Sequence, residues 1–132
     1  MPMQAQLATY AQYDLATQYD VFICGSTAVH PPAMHLIRPF AARGATAVPL
    51  IETKLHDAKD DVEIVAIMSV LEEMQRQKAY AVAGDEPLMT VVQAAATRVA
   101  EPFWRRTADD MVRRITAAAD GEAKKSVGDL SR

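Results

Sequence analysis

Three histidines, one cysteine and a crowded set of carboxylates are the residues whose chemistry could reach beyond packing. His30 and His35 are five positions apart, which on a helix sets them about 140° from each other, and His30 precedes two prolines. His56 completes no H-x-x-x-H pair and no Cys/His cluster with them, so no metal site is expected. Cys24 has no cation nearby in sequence to favour its thiolate, and it sits in the apolar run VFIC, where cysteine packs as a small hydrophobe. A nucleophilic role would also need a histidine delivered by the fold, from His30 or His56. Acids outnumber bases two to one between residues 51 and 101, yet Asp60, Asp61, Glu63, Asp85 and Glu86 all stand where helices start. General acid–base work would need two carboxyls held in a cleft with separated pKa values. The five glycines are scattered singly, so there is no phosphate-cradling loop. These residues point to a chain that is not an enzyme and carries no cofactor.

A binding surface is easier to place. Trp104-Arg105-Arg106, with Arg113-Arg114 two turns later, joins the residue types that anchor interfaces. An aromatic beside cations also suits RNA stacking. Against that, Asp109 and Asp110 sit four residues before Arg113 and Arg114, which favours a self-neutralised, solvated face. Trp104 lies on an apolar stripe and belongs to the core. A net charge of −3 and a pI near 5.5 give no bias toward nucleic acid or an anionic membrane.

The elements that must position these groups are helices. Half of the residues are apolar, aromatics are few and alanine is abundant, a balance that favours packed helices over sheet. Residues 60–78 organise the rest: Ile64, Ile67, Met68, Leu71 and Met74 repeat with helical pitch, and Val62, Val65 and Val70 widen the buried face. Asp60 and Glu63 form a capping box at its start, and Glu72 pairs with Arg76 on its outer side. Before it, residues 17–29 are read as a helix capped by Thr17, since a strand at 21–24 has no second strand to pair with. A second helix runs from Pro31 to about Arg43, kinked at Pro39 and stopped by Gly44. A third is capped by Thr46, carries Pro49 in its first turn and turns Val48, Ile51 and Leu55 inward. After a loop ending at Gly84, Asp85 caps a fifth helix with the stripe Leu88, Val91, Val92, Ala95 and Val99. The sixth uses Trp104, Ala108, Met111, Val112 and Ile115. Residues 1–16 read as a flexible arm, 17–119 as a single helical domain and 120–132 as a polar, disordered tail.

A period of about 38 to 41 residues links the two halves: Pro49-Leu50-Ile51 corresponds to Pro87-Leu88-Met89, Asp61-Val62 to Glu101-Pro102, and Leu71 and Met74 to Met111 and Ile115. The unit GATAVPLIETKLHDAKDDVEIVAIMSVLEEM resembles a HEAT repeat, with its early proline, aspartate-rich turn and late leucine. The resemblance covers residues 44–74 and, more loosely, 85–115. It lacks the arginine usual early in the second helix, where Ile64 to Ala66 stand. It implies about six helices in three antiparallel hairpins, an α-α superhelix, the other possibility being an irregular helical bundle. It also implies a non-enzymatic module that binds another protein on a surface lined by the second helices, here the acidic segment around Glu63 to Arg76. The candidate binding residues are Glu63, Glu73, Arg76, Arg105, Arg106 and Arg113, with neither nucleic acid nor membrane as partner. The alternative is a small acidic inhibitor, of the immunity or antitoxin kind, masking a basic partner. No apolar run reaches the length of a membrane span and the N-terminus has no signal-peptide pattern, so the cytoplasm is expected. A periplasmic protein numbered from its mature start would read the same.

Overall fold

Asp60 starts the central helix by accepting from the Val62 and Glu63 amides at 2.9 and 3.1 Å, which satisfies two of the donors that every helix start leaves open. Around it the chain is all-α. The computed structural model describes Tyr10, residues 12–27 and residues 36–130, with the backbone alone at 25–27 and 118–130. Among the described residues there are six α-helices and no strand: α1 (Leu15–Thr27), α2 (Ile37–Ala41), α3 (Val48–Asp57), α4 (Asp61–Gln77), α5 (Glu86–Arg98) and α6 (Pro102–Leu130). Short 3-10 turns lie at Gly44–Thr46 and Val82–Gly84.

Helix α4 touches all five others, most extensively α6 and α2. Its buried face is as wide as the pattern predicts: Ile64, Val65, Ile67, Met68, Val70, Leu71 and Met74 are all in the core. Against one flank, Phe22 of α1 stacks on Phe40 of α2 at 5.9 Å, with Tyr19 tilted against the same ring. Against the other lie Leu88, Val92 and Ala95 of α5 and Ala108, Met111 and Ile115 of α6.

Several starts and stops differ from expectation. Residues 21–24 are helical, but the helix begins at Leu15: Asp14 Oδ1 accepts from the Thr17 amide at 3.1 Å, so the cap is Asp14, not Thr17. Tyr10 is buried ahead of it, exchanging hydrogen bonds with Gln18, whose side-chain oxygen accepts from Arg43. The described helix over Pro39 starts at Ile37, which leaves the proline in a first turn, where a missing N–H costs nothing. Pro31, Pro32, His30 and His35 lie outside the described residues. Thr46 belongs to a 3-10 turn and the residue ahead of α3 is Ala47, with no side-chain cap. Gly44 does serve as the break, at φ +59°. Asp85 caps α5 through the Leu88 amide, as expected. The backbone of α6 stays helical to Leu130, beyond the residue 119 at which the sequence pattern fades.

Long-range polar links join residues about 40 apart. Asp61 accepts from the Ala100 and Glu101 amides at 3.1 and 2.9 Å. Ser69 reaches Met111, Glu72 reaches Arg114, and the Gln75 amide donates to the Ile115 carbonyl at 2.6 Å. Partners advance together along both helices, so α4 and α6 run in the same direction, side by side. At the end of α3, the Arg98 guanidinium donates to the Leu55 and Ala58 carbonyls at 2.7 and 3.0 Å, using acceptors the helix end leaves open.

Candidate interaction surface

Of the expected binding residues, the two carboxylates turn inward. Glu63 is half-buried and accepts from the Tyr19 hydroxyl at 3.0 Å, tying α1 to α4, so it does not return to close a capping box. Burial first, and then this carboxylate, push the Tyr19 phenol well above the usual phenol range. Glu73 is buried within α4. It accepts from Arg76 and from the Gln77 amide at 3.0 Å, and Arg38 of α2 approaches it to 3.7 Å. Gln77 also donates to the Arg38 carbonyl. The acids that were to form an acidic binding face are thus occupied inside the fold.

What remains outside is arginine. The Arg38 and Arg76 side chains are 78% and 73% exposed, although both converge on a carboxylate that is only 8% exposed. Glu72 does not take Arg76. It holds Arg114 of α6 in a forked pair, Nε to Oε1 at 2.7 Å and Nη2 to Oε2 at 3.2 Å, and that hydrogen bonding raises the Arg114 pKa. A fork across two adjacent helices offers two aligned bonds, which the flexible i,i+4 pair does not. With Arg114 engaged, Asp110 pairs with Arg113 one turn on, and Asp109 reaches back to Arg105 at 3.4 Å. Arg106 is exposed and has no ion-pair partner among the described residues. The fold therefore brings Arg76 and Arg113 onto one surface with Arg38 and Arg114. Arg105 and Arg106 sit about two turns, some 12 Å, back along α6.

Beside this surface Asp110, Arg113, Arg114 and Ala117 border an open depression of about 340 Å³. A wider one, about 580 Å³, lies at the start of α5 over Tyr80, Asp85 and Pro87. Two of its polar side chains are engaged with each other: the Tyr80 hydroxyl donates to Asp85 Oδ2 at 2.6 Å while Oδ1 caps the helix. Arg38 is the member that sequence reasoning missed, because its carboxylate lies 35 positions away; Arg114 was named beside Arg113, but with Asp110 and not Glu72, 42 positions away, as its partner. Phe103 was missed as well. It is 57% exposed and meets Trp104 edge-on at 5.0 Å, while Trp104 is only half-buried against the core. Its one signal is that it falls off the stripe Trp104, Ala108, Met111, Ile115.

The remaining chemical candidates are placed as follows. Cys24 is exposed on α1, not packed as a small hydrophobe, because the buried side of that helix is set by Gln18, Tyr19 and Phe22. His56 is exposed, 3.1 Å from Asp57. Among the described residues no three metal-donor side chains come together, and no helix is long and apolar enough to cross a membrane. No family model, curated protein or solved structure matches the chain.

Proposed function

We propose that the chain is a non-enzymatic, HEAT-like helical module that binds another protein in the cytoplasm. The observation that carries this reading is the shared direction of α4 and α6, linked at separations close to the period seen in the sequence. Stacked repeats behave this way: each unit covers the apolar face of the next, and the second helices are left side by side as a continuous surface. The meeting of α3 with α5 through Arg98 adds the same relation for the first helices. Pro49 and Pro87, each in the first turn of such a helix, support it again. The alternative, an acidic inhibitor masking a basic partner, draws less support, because Glu63, Glu72 and Glu73 are engaged within the fold.

The test is affinity capture on the purified chain from its native host, followed by reconstitution with the purified partner. A protein that rebinds at fixed stoichiometry is the expected result. Native mass spectrometry that finds a tightly held small molecule in place of a protein would overturn the proposal.

A further inference from the structure

We infer that Arg38, Arg76, Arg113 and Arg114 form a docking row for an acidic polypeptide segment of the partner. This rests on the module reading above and adds the partner's chemistry to it. The row crosses three helices. Arg38 of α2 and Arg76 of α4 share Glu73; Glu72, one turn before Arg76, holds Arg114 of α6; and Arg113 borders the same depression as Arg114.

The charges are unevenly exposed. The four arginine side chains are 78%, 73%, 78% and 55% exposed, whereas their carboxylate partners Glu73, Glu72 and Asp110 are 8%, 29% and 43% exposed. Solvent therefore meets mostly guanidinium. A guanidinium carries five N–H donors, and two of these groups on a single carboxylate leave most of them pointing outward. A carboxylate from a partner matches them two at a time. The chain as a whole is acidic, so this surface runs against the global charge.

A phosphate backbone fits less well. The row contains no aromatic platform on which bases could stack. Phe103 lies ten residues before Arg113 on the same helix, about 15 Å away.

The test uses wild-type protein and three fluorescein-labelled probes: a peptide of Glu-Glu-Leu repeats, its Lys-Lys-Leu counterpart and oligo-uridine. Fluorescence anisotropy is expected to show binding of the acidic peptide alone, weakening about tenfold or more as salt is raised from roughly 50 to 500 mM. The Nε–Hε resonances of the four arginines should shift on titration. Arg76→Gln with Arg113→Gln, checked for folding by circular dichroism, should weaken binding about tenfold. Lys59→Gln, in the turn ahead of α4 and far from the row, should change it less than about twofold. Failure of the acidic peptide to bind, unshifted arginine resonances, or tighter binding of oligo-uridine or the basic peptide would each overturn the row. A captured protein that binds wild type and the double variant equally would also overturn it while leaving the module reading intact.

Discussion

Gly44 and Ala79 meet where the turn after α2 passes the end of α4. With φ at +59°, a Cβ on Gly44 would also lie 2.7 Å from the Ala79 carbonyl oxygen, so strain and clash act together. Gly44→Ala is expected to cost on the order of 2 kcal/mol, read as a lower urea midpoint. A gain in stability would show that the turn can relax. Tyr10 and Tyr19 carry a second residue-scale prediction. Burial, the main cause at both, holds their phenols protonated well above the usual range; Arg43 opposes this at Tyr10 and Glu63 reinforces it at Tyr19. The unfolded chain releases those protons near pH ~10 and the folded chain later. The stability they lend is therefore complete below about pH 10 and is lost as pH climbs beyond it. Of the four tyrosines, the two that ionise last should do so together with loss of helical circular dichroism; ionisation of all four with the helix signal intact would contradict this.

Lys78 ends α4 in the left-handed region at φ 61°, its amide and that of Ala79 returning to Gln75 and Met74. A side chain there is strained, so Lys78→Gly is expected to stabilise the protein by about 1 kcal/mol. Thermal melts would read the gain, and a loss would mean that the Lys78 side chain matters more than its backbone. Between elements, Arg98→Ala removes a guanidinium from three carbonyls at the end of α3, those of Leu55, His56 and Ala58, and Asp61→Ala removes the acceptor for two amides ahead of α6. Each should lower stability by about 1 kcal/mol at an unchanged denaturant slope. Helix identity was legible because Ile64, Ile67, Met68, Leu71 and Met74, and likewise Leu88, Val92 and Ala95, repeat with one pitch and find cover on that side. Caps were less legible. Asp60 and Asp85 stand directly before an apolar run, but Asp14 precedes α1 in a stretch without periodicity, and Thr46 lost its place to a 3-10 turn.

At the scale of the molecule, ion pairing was the part least written in the local sequence. Glu72, Arg76, Asp110 and Arg114 each had a partner at helical spacing, and tertiary packing reassigned most of them by bringing α6 against α4 and α2 against α4. The same packing engages Glu63, Glu72 and Glu73 within the fold and leaves the Arg38 and Arg76 side chains largely exposed. Both outcomes depend on one arrangement, the side-by-side, same-direction run of α4 and α6. A methyl-resolved NOESY spectrum tests it directly, since the Met111 sulfur lies 3.9 Å from the Ser69 hydroxyl and the Gln75 amide bonds the Ile115 carbonyl. Cross-peaks from the Met111 methyl to Ser69, and from the Gln75 side-chain amide to Ile115 and Thr116, are the predicted result. Cross-peaks placing Ile115 beside Val65 and Thr107 beside Glu73 would mean that the two helices run oppositely and would contradict the shared direction.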